Sequence, residues 1–591
     1  MAIKRYTANA DNTITNAFEA NLQTRGTGSN MGESDILETF TIYGQAPAVG
    51  ASARLYINES SPVIAVDGSE KIILVGESTY EFVATGSVVG LSSFDASGNR
   101  SDVLTNITSI INTSASVHFS ASITGFSVKI DSLASGDQGN QNSLSSSLNN
   151  TSPETLKKFT GGTGGLEQSR ILINFPVTEI SADRAAGDIP PSGSVSFYLR
   201  VHNAPHGQTL PKDYNLTILA ASRSWTEGYG LDMESYSDSG TSNWISSSIG
   251  QAWDTQGGDY HTTPAYSQYI ATGTEDVEVD ISHLVEEWMA GSKTSDGLGI
   301  QISSSYVSLP RSFYTKKFFA RGSEFVYLRP KIEARWNSSM KDRRNSFYAS
   351  SSLVPATDNL NTLYIYNKVR GQLQDIPAIG TGEMSMSLYY GESTAPAGAV
   401  LTITGSTGIA GTSVTGGWVS KGIYSASVAI NTTSSYLYDV WHNGAGTQYV
   451  TGSQISVRSF LTNTAVDTGE YVSNITNLKE KYITNETARL RLFVRDKDWN
   501  PTIYTVATAN IETKVIEDAY YKVFRVADDF NVIAYGTGSL NCTRMSYDKN
   551  GNYFDIDLSL FEKGYSYGIK VAYKRNNNFN EQPELFKFRV E

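Results

Sequence analysis

A mainly β chain of tandem β-sandwich domains, interrupted by one small α+β insertion domain, is the fold class this sequence predicts, and three observations predict it. Glycine and tyrosine number 51 and 34 in 591 residues while charged residues reach only 18%, a composition of turns and aromatic strands. Short runs of alternating polar and apolar side chains recur along most of the length, separated by Gly-, Asn- and Ser-rich turns. Helical spacing of apolar residues surfaces at two places only.

At this length one core cannot serve the whole chain, and usual domain sizes predict roughly three to five units. The single cysteine, Cys542, cannot form an internal disulfide, so stability is expected from packing and assembly. The start, Met1-Ala2-Ile3-Lys4-Arg5-Tyr6, lacks the apolar core of a signal peptide, and no run of about 18 apolar residues could span a membrane. Use without classical export or membrane insertion is therefore expected. A net charge of −13 argues against nucleic acid as a partner, because phosphate binding requires a basic surface. The basic clusters at 341–344 and Lys574-Arg575 read as a solvated linker and a strand end.

Taken in order, residues 1–46 and 166–337 form the first sandwich and 47–165 an insertion within it. The insertion opens with strand-like Ala53-Arg54-Leu55-Tyr56-Ile57, Lys71-Ile72-Ile73-Leu74-Val75 and Ser78-Thr79-Tyr80-Glu81-Phe82. Ser101 then stands as an N-cap ahead of Val103, Leu104, Ile107, Ile110 and Ile111, which are spaced for about three helical turns. Two further strands, at 117–121 and 126–130, complete a pattern of one helix on one sheet. Residues 135–165 turn to Gly, Asn and Ser and read as a flexible return linker. Past the polar stretch 337–345, a β-sandwich is expected over 338–470. A C-terminal Ig-like β-sandwich is expected over 471–591, where Ala488-Arg489-Leu490-Arg491-Leu492-Phe493-Val494-Arg495 alternates with its arginines on the wet or paired face.

Within the first sandwich the landmarks run Ser224-Trp225-Thr226-Glu227, Ser242-Asn243-Trp244, the segment 279–288, Asp296-Gly297-Leu298-Gly299-Ile300, and Phe318-Phe319-Ala320-Arg321-Gly322-Ser323-Glu324 before Arg329-Pro330. Upstream lie Ser169-Arg170-Ile171-Leu172-Ile173-Asn174-Phe175 and the opening segment Asn16 with 28–37. This series resembles the DNRLRE (disaggregatase-related) domain, a β-sandwich of cell-surface, carbohydrate-associated and viral proteins. The runs 203–214 and Lys316-Lys317-Phe318-Phe319-Ala320-Arg321 resemble the version in structural proteins of marine tailed bacteriophages. The resemblance implies a virion protein, with neck or collar, tail, baseplate or fibre, and capsid decoration as the candidate positions. It implies other virion proteins as partners, self-association into a homo-oligomer, and assembly in the host cytoplasm.

Motifs that carry chemistry are sparse. No His-Glu-x-x-His, P-loop, Gly-x-Ser-x-Gly or Cys-x-x-Cys occurs, so no catalytic residue, cofactor or metal is expected. His202 and His206 are four apart with Pro205 between them, which suits a polar loop better than a metal pair. Asp496-x-Asp498-x-Asn500 begins like a calcium loop, yet Pro501 stands where glycine is needed. Asp548-Lys549-Asn550-Gly551 reads as a type I′ hairpin. Ile281, Leu284, Val285, Trp288 and Met289 lie on one face of a short helix that Gly291 can end, a core element.

Aromatic residues suggest one binding alternative. Trp225, Tyr229, Tyr236, Trp244, Trp253 and Tyr260 lie in a Gly/Ser/Asp-rich stretch, and ring faces beside carboxylates suit sugars. Trp225 and Trp244 belong to the motif and to the core, which leaves Tyr229, Trp253 and Tyr260 as candidate carbohydrate contacts for an adhesin of host surface polysaccharide. A third reading, a polysaccharide depolymerase, would draw two carboxylates from Asp232, Glu234, Asp238, Asp254 and Asp259.

Overall fold

The fold is described by a computed structural model that covers the chain except residues 1, 19–24, 44–48, 61, 77, 88–89, 135, 150, 153–156, 163–164, 208–209, 232–240, 308–311, 391–397, 460–468, 499–512 and 576. Strands in antiparallel sheets dominate, and the described helices are few and short. The chain divides into two compact units, one of Tyr6–Val177 with Tyr198–Ile332 and the other of Met1–Arg5, Thr178–Phe197 and Glu333–Glu591.

The first unit is built on a seven-stranded sheet in the order Tyr260–Ile270, Tyr214–Ala221, Leu298–Ile302, Glu167–Asn174, Ile36–Tyr43 and Ser312–Phe319, with Ala10–Thr15 also paired to Glu167–Asn174. Every pairing is antiparallel. Alternation sets the buried face along Tyr214–Ala221, where Tyr214, Leu216, Ile218 and Ala220 are fully buried. In a separate sheet Val277–Asp280 pairs with residues 198–201, and it leads into the helix Ser282–Ala290. That helix buries Leu284, Val285 and Trp288 and stops at Gly291, whose φ of 71° only glycine adopts without strain. The expected amphipathic helix and its end are thus where the spacing put them.

The insertion leaves strand Ile36–Tyr43 and rejoins at Glu167–Asn174, and these strands are direct neighbours, with Ile42 opposite Glu167 and Phe40 opposite Ser169. A whole folding unit stands where a hairpin turn would suffice. Its core is its own, running from Ala51 to Phe159 and including Leu55, Phe82, Ile107, Phe119 and Ile130. Two corrections apply. The helix Arg100–Ser114 meets strands of two sheets, four-stranded and five-stranded, instead of one. Its N-cap is Asn99, not Ser101: the Asn99 side chain accepts from the Ser101 and Asp102 backbones, and Asp102 returns a bond to the Asn99 N–H.

The flexible linker expected at 135–165 is also corrected. Ser143–Ser146 pairs with Asp67–Val75 inside the five-stranded sheet, and Leu144, Leu148 and Phe159 are buried in the core. Few apolar residues suffice there because these three are almost completely buried. Replacing residues 44–165 by a two-residue Asn-Gly turn is expected to leave the seven-stranded sheet folded, since Ile42 and Glu167 are already in register. Melting followed by circular dichroism checks this, and loss of the cooperative transition is the contrary result.

In the second unit, residues 347–458 form one continuous network of ten strands. It encloses a core that includes Phe347, Leu363, Met386, Tyr424 and Trp441. Residues from Tyr471 onward form two sheets, of four and six strands, as a sandwich requires. Leu490, Leu492 and Val494 point inward. On the opposite face Arg489 and Arg491 make two-pronged ion pairs with Asp555 and Asp548, all at 2.8–2.9 Å, so the arginine face is paired. The hairpin at Asp548 forms, but the positive φ, 99°, falls on Gly551 opposite Asp548 and not on the central Lys549-Asn550. The turn is therefore not of type I′.

The stretch 341–344, expected as a solvated linker, buries Asp342 and Arg344 instead. Asp342 N–H donates to the Tyr547 carbonyl, and Tyr547 N–H donates to the Met340 carbonyl. Arg344 enters the interior, where it binds Asp342 at 2.6 Å, Asp439 and the Tyr364 carbonyl. Asp439 also accepts from Trp441 Nε1 at 2.6 Å.

Candidate functional site

Trp225, Trp244, Trp253 and Tyr260 meet on one small core. Ile14, Leu172, Trp244 and Trp253 form it, and Trp225 and Tyr260 pack against it. Three of these rings have a backbone acceptor for their polar atom: Trp225 Nε1 donates to the Asp296 carbonyl at 2.9 Å, Trp253 Nε1 to Asn243 at 2.8 Å and the Tyr260 hydroxyl to Gly257 at 3.1 Å. The Arg170 guanidinium lies over Trp244 and Tyr260, 5.2 and 5.9 Å from the ring centres. Burial pushes the Tyr260 hydroxyl up to about 12, with Arg170 opposing.

Of the three expected carbohydrate contacts, the structure places two in packing. Trp253 is 5% exposed, and the Tyr260 ring lies on the strand at Gly299, where any Cβ would stand 2.0 Å from Tyr260 Cε1. Tyr229 is apart from them at 66% exposed, between two glycines that pass directly against Asn30. The three do not form a joint surface.

Above this core a polar cleft of about 370 Å³ is lined by Arg170, Ser222, Asp254, Thr255, Gly258, Asp259 and Tyr260. Its two carboxylates share one cation: Arg223 binds Asp254 at 2.5 Å and Asp259 at 2.8 Å. Asp259 also accepts from the Asp254 and Thr255 backbones at 3.0 and 2.8 Å, which closes the turn. A pair that shares one cation in this way clamps the loop 254–259. Asp232, Glu234 and Asp238, with Tyr236, lie outside the described residues.

The motif residues Glu227 and Arg321 build a lock that the sequence did not reveal. Arg321 holds Glu227 with two bonds, at 2.8 and 3.1 Å, and both groups close over the buried Asp11. Asp11 N–H donates to Glu227 at 2.7 Å, and Arg321 N–H donates to the Asp11 carboxylate at 2.5 Å, whose other oxygen has no hydrogen-bond partner. Burial, aided by Glu227 and opposed by Arg321 and Arg329, raises the Asp11 carboxyl to about 7. A raised folded value favours the protonated form. Its contribution is complete below the unfolded value and fades as pH rises through 7. Melting temperature is thus expected to fall between about pH 5 and 8, and Asp11→Asn to flatten that fall, a difference of roughly 2–4 kcal/mol. Calorimetry at the two pH values checks it.

Neither histidine of the candidate pair faces the other's partner. His202 is buried with Nδ1 2.8 Å from Asp276, and burial lowers it to about 4. His206 Nε2 accepts from the Lys317 N–H at 3.1 Å, at the edge of a cleft of about 520 Å³ along Glu38, Phe40, Ile42 and Thr315. Asp496 pairs with Lys514 at 2.8 Å, and Asn500 and Pro501 lie outside the described residues. Among the described residues no group of three or more His, Cys, Asp and Glu side chains could hold a metal ion, and no helix is long and apolar enough to cross a membrane. No protein-family model and no curated protein matches the chain.

Proposed function

We propose that this chain is a non-enzymatic structural component of a tailed-phage virion that works by assembly with copies of itself and with other virion proteins. The resemblance of 224–330 to DNRLRE domains of phage structural proteins supports the virion setting. Support for assembly comes chiefly from an apolar cluster on the insertion. Val49, Val117 and Leu133 are 53%, 76% and 53% exposed and are brought together by the Leu133-to-His118 and Ser132-to-Ala51 backbone bonds. Exposed apolar clusters on a folded module are contact surfaces in waiting. Symmetric self-association is the expected form.

Light scattering tests this with the wild type and a Val117→Asp, Leu133→Asp variant. The wild type is expected at a fixed multiple of 64.3 kDa and the variant at a smaller mass with an unchanged melting curve. Equal masses would remove the cluster from the account.

The adhesin reading rests on Tyr229 alone, the one candidate with an accessible ring. Retention of the wild type but not Tyr229→Ala on a host envelope glycan would favour it. Trp253→Ala is unsuited to this purpose because it would empty the core around Ile14 and Leu172. The depolymerase reading requires release of reducing ends.

A further inference from the structure

Lys316 is the least expected side chain of the first unit: a lysine on strand Ser312–Phe319 with no exposure at all. Its ammonium position has two neutral partners, the Asn203 side-chain oxygen at 2.6 Å and the Gly273 carbonyl at 2.8 Å, and the Phe318 ring centre is 5.3 Å away. Buried lysines normally keep a carboxylate in contact; here Glu275 and Asp276 act only from a distance.

We propose that Lys316 and Asn203 join in an intramolecular amide bond. Lys316 Nζ adds to the Asn203 side-chain carbonyl carbon, the bond from that carbon to Nδ2 breaks, and the nitrogen leaves as ammonia with the proton that Nζ gives up. Nothing is oxidised or reduced, and no co-reactant is required.

Three observations carry the inference. The nucleophile is already in place, because Oδ1 lies about 1.2 Å from the carbon to be attacked, so an amine 2.6 Å from Oδ1 is close to attack distance. The electrophile is held still: Asn203 N–H donates to Asp276 at 2.8 Å, Asp276 is held in turn by His202, and Asn203 bridges to Phe318. The amine is also activated, since burial lowers it to about 8 and leaves a share of it neutral near pH 7. Asn203 itself is half-buried, which gives ammonia a way out. The bond would tie together residues 113 apart in a protein whose single cysteine allows no internal disulfide.

Intact mass of the denatured full chain tests the proposal. The expected result is a mass one ammonia below that of the sequence, with a branched tryptic peptide joining Lys316 to Asn203 and no cleavage after Lys316. Lys316→Arg and Asn203→Ala should each show their full sequence mass, and Asn203→Asp should lose water in place of ammonia. A wild-type mass equal to the sequence mass, both when fresh and after prolonged incubation at about pH 9, overturns the proposal. Loss of ammonia without the branched peptide overturns it too, because that is cyclisation of an asparagine on its own backbone.

Discussion

Arg344→Ala is expected to lower stability by about 3–5 kcal/mol, the cost of leaving buried carboxylates without their cation. Asp342 and Asp439 are 2% and 0% exposed, and Arg344 is the cation bound to both. Its guanidinium also caps the Tyr364 carbonyl, so alanine would take that donor from one backbone oxygen and from Asp342 Oδ2 and would leave Asp439 Oδ2 with Trp441 Nε1 alone. The loss should depend on pH with a definite sign. Burial already raises the Asp342 carboxyl to about 6 against the pull of Arg344, so the protonated form is the one the folded state prefers. Without Arg344 the Asp342 carboxyl rises above 6, so the deficit of the variant is expected to be largest at high pH and to shrink as pH falls toward 6, below which the carboxyl is protonated in both folded proteins. Adding Asp342→Asn and Asp439→Asn to the variant should recover part of the loss, because neutral amides require no cation. Calorimetry of the wild type, the variant and the triple variant at about pH 5 and 8 reads all of this, and a pH-independent deficit would contradict it.

Gly297→Ala and Gly299→Ala should both be severe, about 3 kcal/mol or more each, but only the second should be rescuable. At Gly297 φ is 87°, and a Cβ would lie 2.2 Å from the Ile173 carbonyl oxygen. Backbone blocks backbone there, and no second change relieves it without unzipping Leu298–Ile302 from Glu167–Asn174. At Gly299 the obstacle is a side chain, the Tyr260 ring at 2.0 Å. Tyr260→Ala in the same chain frees that space, so the double variant should be more stable than Gly299→Ala alone, a coupling that a double-mutant cycle isolates. Denaturant midpoints of the single and double variants give the answer.

These glycines explain how the Asp296-Gly297-Leu298-Gly299-Ile300 landmark could be found in the sequence while its reason could not. The pattern is local, but the groups that demand it, Ile173 and Tyr260, lie 124 and 39 residues away. Elements governed by local periodicity were legible: the helix at Ser282–Ala290, the alternating strand Thr487–Asp496 and the hairpin at Asp548. Elements governed by distant partners were not. Nothing near 341–344 announces Asp439 nearly a hundred residues on, and a polar stretch carrying Leu144, Leu148 and Phe159 at wide intervals has the composition of a linker. In the candidate site the aromatic residues were legible as a group, but whether a ring is floor or surface depends on the fold around it. Trp253 and Tyr260 became floor because Asn243, Gly257 and Gly299 receive them. Asp11 was missed because it sits in a strand of mostly polar residues, and Lys316 because the paired Lys316-Lys317 breaks the alternation of a half-aromatic strand that would mark one of them as buried.

The proposed role as a virion component is tested most directly by mass spectrometry of density-purified phage particles from a lysate in which this chain is expressed from its own genome. The account predicts its peptides in the particle band, at a copy number that is a whole multiple of the number of chains in the solution oligomer. Peptides confined to the particle-free supernatant, with none in the band, would contradict it.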